Sequence, residues 1–82
     1  MQLEVLNLGG NRLVELERDY FESMNALKTL FLANNLIESF EDGVFDSLVK
    51  TVQKIDVRSN KLNESANVKL KHYCKLGVEM IF

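Results

Sequence analysis

Apolar residues along the chain recur at a fixed set of spacings that appears three times. The first segment reads Leu3-x-x-Leu6-x-Leu8-x-x-Asn11-x-Leu13-x-x-Leu16, the second Leu27-x-x-Leu30-x-Leu32-x-x-Asn35-x-Ile37-x-x-Phe40, and the third Val52-x-x-Ile55-x-Val57-x-x-Asn60-x-Leu62. The asparagines that mark these segments are 24 and 25 residues apart. So many aligned positions at one step indicate an internal repeat.

Each segment contains a short stretch in which apolar and variable residues alternate, as in Leu6-Asn7-Leu8, Leu30-Phe31-Leu32 and Ile55-Asp56-Val57. Alternation with a period of two is typical of a strand with one buried face. Strands this short are unstable alone, so we expect them to lie side by side in parallel. Parallel neighbours need return segments, which the spacing places at roughly 12–26, 36–51 and 61–77.

The repeated pattern resembles the leucine-rich repeat family, whose units of about 20–29 residues share the order L-x-x-L-x-L-x-x-N-x-L. Phe21 with Met24, and Phe45 with Leu48, make it similar to the typical 24-residue subfamily of extracellular proteins and receptor ectodomains. The resemblance implies an α/β fold: a right-handed solenoid with a short parallel β-sheet on its concave face. We expect one domain over 1–82, with repeats at about 3–26, 27–51 and 52–77 and a partial fourth at 78–82.

An asparagine follows each predicted strand at the point where the chain turns. Its amide can donate to and accept from backbone groups of the turn. In the family these side chains stack as a buried ladder, a role that the resemblance carries onto Asn11, Asn35 and Asn60.

The last part of the chain departs from the repeat pattern. Residues 64–76 contain no helix breaker and carry Ala66, Val68, Leu70, Tyr73 and Cys74, which predicts a short helix that ends at Gly77. Val78-x-x-Ile81 then matches the opening of a fourth strand. Both ends thus cut through a repeat. We expect a piece of a longer array; the alternative is a short chain whose ends are covered by self-association.

Variable positions of the strands point away from the core and are free to bind a partner. These positions are Glu4, Val5, Asn7, Gly9, Lys28, Thr29, Phe31, Ala33, Gln53, Lys54, Asp56 and Arg58. Phe31 is the most informative, since a large aromatic residue on the outward side of the central strand is typical of an interface anchor. The alternative is that neighbouring side chains cover it.

Charge and hydropathy narrow the classes of partner. A net charge of −2 and a pI near 5.3 argue against nucleic acid. No apolar run approaches the roughly 18 residues of a transmembrane helix. Residues 1–49 have a net charge of −6 and residues 50–75 of +5. This asymmetry would steer a partner or favour head-to-tail association, or it is ordinary solvated charge.

Residues with chemical potential are few. His72 and Cys74 are too few for a zinc site, the single histidine forms no triad, and the acidic residues around Gly43 lack the order of a calcium loop. We therefore expect no metal, no cofactor and no catalysis, and Cys74 to be a small buried hydrophobe. Asn63-Glu64-Ser65 is an N-glycosylation sequon.

The sequence thus favours a non-catalytic module that recognises a protein ligand or receptor through the concave face. The resemblance implies a secreted or cell-surface protein of the innate immune or adhesion and matrix type. Two alternatives stay open: a cytoplasmic adaptor or regulator, favoured by the single thiol, and a self-associating structural protein.

Overall fold

The computed structural model describes residues 3–82, which form two parallel sheets and one α-helix. In chain order the strands are β1 (Val5–Asn7), β2 (Glu15–Leu16), β3 (Thr29–Phe31), β4 (Ser39–Phe40), β5 (Lys54–Asp56) and β6 (Glu79–Ile81). Helix α1 (Glu64–Lys75) lies between β5 and β6. The predicted helix and the strand that follows it are therefore confirmed.

The larger sheet contains β1, β3, β5 and β6, in that order and all parallel. Val5 pairs with Thr29, Thr29 with Lys54, and Lys54 with Glu79, so paired residues lie 24 or 25 positions apart. This step equals the repeat read from the sequence, and it confirms the prediction of parallel neighbouring strands. One face of the sheet covers the core, to which Leu30, Leu32, Ile55 and Val57 contribute.

An aromatic cluster fills the core behind this sheet. The ring of Phe45 lies 5.7 Å from that of Phe21, 5.6 Å from that of Phe40 and 5.4 Å from that of Tyr73, measured between centroids. Tilted and edge-on contacts at these distances are the arrangements that aromatic pairs prefer. Phe45 thus joins rings from three separate segments of the chain.

The return segments contain more regular structure than the irregular turns that the sequence predicted. β2 and β4 pair in parallel, with Leu16 beside Phe40, and a short 3-10 helix spans Arg18–Phe21. Because the larger sheet holds consecutive segments at strand spacing, their return paths also run close enough for backbone pairing. The second sheet is therefore a consequence of the first.

Helix α1 packs one stripe of side chains against the rest of the fold. Asn63 caps its N-terminus, where Oδ1 accepts a hydrogen bond of 2.8 Å from the N–H of Ala66. Gly77 follows its C-terminus with φ of +100°, a conformation that favours glycine. Leu70 and Tyr73 are buried, whereas Cys74 is exposed, so the prediction of a buried thiol is wrong. A helix turns by about 100° per residue, which places position 74 at the margin of the buried stripe.

Two of the repeat asparagines join consecutive segments. Asn35 Nδ2 donates to the carbonyl oxygens of Leu8 and Leu32, both at 3.0 Å, while its Oδ1 accepts from the N–H of Leu13 at 3.2 Å. Asn60 repeats the arrangement one segment later, with Leu32 and Val57 as acceptors and Ile37 as donor.

Asn11 does not belong to this buried ladder as predicted. Its side chain is exposed, and it donates to carbonyl oxygens within its own turn, to that of Leu8 at 2.8 Å. The other two asparagines are covered because each bonds to the preceding segment. β1 is an edge strand within residues 3–82, so Asn11 has no preceding segment there.

Candidate functional site

The face of the larger sheet that points away from the core forms a continuous surface. Strand register aligns its side chains in two rows across the four strands. We call this surface the outward face; its residues are Val5, Thr29, Lys54 and Glu79 in the first row, Asn7, Phe31, Asp56 and Ile81 in the second, and Arg58 beyond β5.

Most of the residues predicted to bind a partner are accessible here. Val5, Asn7 and Arg58 are exposed, and Thr29, Phe31 and Lys54 are half-buried. Three more predicted residues, Glu4, Lys28 and Gln53, are exposed just before the strands, where Lys28 Nζ lies 3.6 Å from Glu4 Oε1. The structure therefore brings these side chains to one side of the sheet.

Phe31 differs from its polar neighbours in the second row. Asn7 Oδ1 accepts a hydrogen bond of 2.9 Å from the N–H of Gly9, and Asp56 Oδ1 accepts one of 3.1 Å from the N–H of Arg58. Both side chains thereby stabilise the turn that follows their strand. An aromatic ring cannot do this, so Phe31 has no such structural role at the same position of β3.

Asp56 was predicted to contact a partner, and its burial makes that prediction wrong. The residue is only 3% exposed. Phe31 and Ile81 flank it in the neighbouring strands, and the Arg58 side chain folds back over it. Arg58 Nε lies 3.0 Å from Asp56 Oδ1, and Nη2 lies 2.8 Å from Oδ2.

This ion pair sets the charge state of both residues. Hydrogen bonding from Arg58 lowers the pKa of the Asp56 carboxyl, against the opposing effect of burial, and nearby Lys54 lowers it slightly further. The carboxylate in turn raises the pKa of Arg58. Both groups therefore stay ionised. Sequence analysis named both residues but missed their pairing, although a spacing of two on a strand places both side chains on one face.

A groove between α1 and the turn at residues 41–47 contains the other group of polar side chains. The Tyr73 hydroxyl donates to Asp46 Oδ1 at 2.8 Å and accepts from the N–H of Phe45 at 3.2 Å. Burial is the main reason that the pKa of Tyr73 is raised to about 12, so this hydroxyl stays protonated. Lys69 Nζ donates to the carbonyl oxygen of Phe40 and pairs with Asp42 at 2.9 Å. These groups bind one another and hold α1 in place.

Searches for other kinds of site gave little. Within residues 3–82, no three His, Cys, Asp or Glu side chains are grouped so that they could hold a metal ion. The helix in the same range is too short to cross a bilayer. Asn63 of the sequon is exposed and uses its Oδ1 to cap α1.

Comparisons with known proteins agree with this architecture. A model of the family described as "Leucine rich repeat" matches residues 1–62. Tsukushi of Xenopus tropicalis is 37% identical over 59 residues, which cover 72% of this chain and 16% of that relative. The chain thus corresponds to a small part of the relative's length. No solved structure matches significantly.

Proposed function

This chain is a member of the leucine-rich repeat family, and on that basis we propose that it is a non-catalytic module that binds a protein partner through the outward face. The observation that carries the proposal is Phe31, an aromatic side chain that stands where Asn7 and Asp56 serve the backbone. Phe31 is outside the core, which is complete without it.

The chemistry around Phe31 suits recognition of a protein surface. Aromatic residues and arginine dominate the binding energy of protein interfaces, and Phe31 lies close to Arg58 on this face. Exposed Val5 and half-buried Ile81 extend the apolar area across the sheet. Because backbone hydrogen bonds hold all four strands, little conformational entropy is lost when a partner binds.

We also propose that the chain forms part of a right-handed solenoid of three repeats and a partial fourth, with the outward face as its concave side. The constant step of 24 or 25 residues between paired strands supports this. The edges of β1 and β6 would then pair with further repeats. Self-association through these edges is the alternative, and a dimer mass in solution that depends on salt would favour it.

Replacing Phe31 with Ala is expected to leave the thermal midpoint almost unchanged and to weaken binding about tenfold or more. The stability changes little because the ring is outside the core, whereas a partner loses an anchor. A random peptide library selected on the 82-residue chain supplies ligands, and their dissociation constants are measured on both proteins.

Two variants serve as controls for this measurement. Val68→Ala alters an exposed side chain on α1 and should leave both binding and stability unchanged. Leu30→Ala removes a buried neighbour of Phe31 and should lower the midpoint strongly. The proposal fails if ligands bind Phe31→Ala as tightly as the wild-type protein, or if that variant unfolds as readily as Leu30→Ala.

We further propose that the protein is extracellular or at the cell surface, in an innate immune or adhesion setting, and carries an N-linked glycan on Asn63. Only Oδ1 of Asn63 caps the helix, so Nδ2, the atom to which a glycan attaches, stays accessible. The natural protein should lose mass when treated with peptide N-glycosidase F. In cultured cells Asn63→Asp keeps a capping oxygen and should remove the glycan without unfolding. Natural protein without a glycan would contradict the proposal.

A further inference from the structure

We propose that the protein partner presents an Asp or Glu carboxylate to Arg58, next to an apolar residue that contacts Phe31. In this arrangement Arg58 is the specificity-determining residue, and Asp56 is a positioning residue that aims it. The inference rests on the proposed function, since it states which chemistry the outward face recognises.

The guanidinium of Arg58 has donors left for a partner. Of its five N–H groups, the one on Nε and one on Nη2 point at Asp56. Two on Nη1 and the second on Nη2 remain, and no other acceptor in residues 3–82 lies within hydrogen-bonding distance of them. The side chain is 60% exposed, so these donors face solvent. Two parallel N–H groups at the end of a guanidinium match the two oxygens of a carboxylate.

Arg58 is held in place before any partner arrives. Asp56 is itself fixed, because its Oδ1 also accepts the backbone N–H of Arg58 and the residue is almost fully buried. A free arginine on a surface must lose rotamer freedom when it binds, which lowers affinity. The buried carboxylate therefore prepares the guanidinium for binding.

The surrounding charge favours an acidic partner segment. Lys54 lies on the same face of β5, two residues before Asp56, and residues 50–75 have a net charge of +5. Such a field speeds encounter with an acidic segment. Phe31 pairs with Asp56 in the strand register, so a partner that reaches Arg58 also reaches the ring. An acidic residue beside an apolar one meets both requirements.

The test uses peptides selected on the 82-residue chain from a random library. We expect them to be enriched in Asp or Glu next to an apolar residue. For the tightest one, replacing the acidic residue with Gln or Asn should weaken binding about tenfold to the wild-type protein and hardly at all to Arg58→Ala. The matched variant Arg58→Lys keeps the charge but lacks the paired donors, so it should bind between these limits.

The variant Asp56→Asn separates positioning from simple charge. It removes a negative charge, so long-range electrostatics alone would strengthen binding of an acidic peptide. Loss of positioning weakens it instead, and we expect a weakening of about threefold to tenfold. Asn keeps an oxygen for the Arg58 N–H, and an unchanged thermal midpoint shows that the fold is intact. Tighter binding by Asp56→Asn would overturn the positioning role.

Failure of this inference is distinguishable from failure of the proposed function. Peptides that depend on Phe31 but bind Arg58→Ala normally, or carry no acidic residue, overturn the inference and leave the outward face as the binding surface. Peptides that bind Phe31→Ala and Arg58→Ala as tightly as the wild-type protein overturn both. A selection that yields no ligand dependent on Phe31 also counts against both.

Discussion

Replacing Phe45 with Ala should lower the free energy of unfolding by about 3–5 kcal/mol. The ring is fully buried and contacts Phe21, Phe40 and Tyr73, so its removal leaves a cavity where three segments of the chain meet. These partners come from different parts of the sequence and cannot easily move together to fill the space. Urea unfolding followed by circular dichroism measures the loss.

Two further variants make the result quantitative. A domain of this size has a total stability of about 5–15 kcal/mol, so Phe45→Ala can leave little folded protein. Phe45→Leu keeps much of the volume and should cost about 1–2 kcal/mol, which stays measurable. Tyr20→Ala removes an aromatic ring that is 47% exposed and should cost less than about 1 kcal/mol. A loss below that level for Phe45→Ala would contradict the aromatic core.

Replacing Asn35 with Ala should cost about 2–3 kcal/mol, because a methyl group can replace none of the hydrogen bonds that the amide makes. The residue is 4% exposed, so the carbonyl oxygens of Leu8 and Leu32 and the N–H of Leu13 lose a partner where water has little access. These bonds also join two repeats, so the cost includes part of their docking.

Asn11 supplies a matched control for this prediction. The same change at position 11 removes an exposed amide that bonds within its own turn, and it should cost about 0.5 kcal/mol or less. Denaturant unfolding of both variants under one condition gives the comparison. Equal losses at the two positions would show that the bonds between repeats add nothing to stability.

The architecture could be predicted in large part because repeats act through their alignment. When one segment has its apolar residues inward, every aligned segment does too, so the step of 24 or 25 residues fixes strand register as well as strand position. The helix at 64–75 was predictable for a local reason, since its sequence lacks breakers and ends before Gly77.

The features that sequence reasoning missed depend on position within the array or on contacts between side chains. Asn11 has the same motif as Asn35, yet exposure depends on whether a preceding segment covers it. Asp56 is at an outward position, but Arg58 two residues later folds over it. Cys74 is at the margin of a helical stripe, where a small rotation decides between buried and exposed. None of these is a property of the repeat pattern itself.

The outward face combines order with chemical freedom. The core and the backbone hydrogen bonds hold the strands, so Phe31 and Arg58 can vary without loss of the fold. This separation of structure from binding is what lets loops and solvent-facing rows of a rigid scaffold acquire partners. Within this chain, the aromatic ring and the fixed guanidinium are the two groups that give the face its specificity.

The central claim is that a protein partner binds at Phe31, and site-specific photo-crosslinking tests it most directly. The full-length protein is made, in cells that naturally produce it, with benzoyl-phenylalanine in place of Phe31 or, as a control, of Val68, which is exposed on α1. Our account predicts one crosslinked protein species from position 31 that position 68 does not yield. No crosslink at position 31, or the same species from both positions, would contradict it.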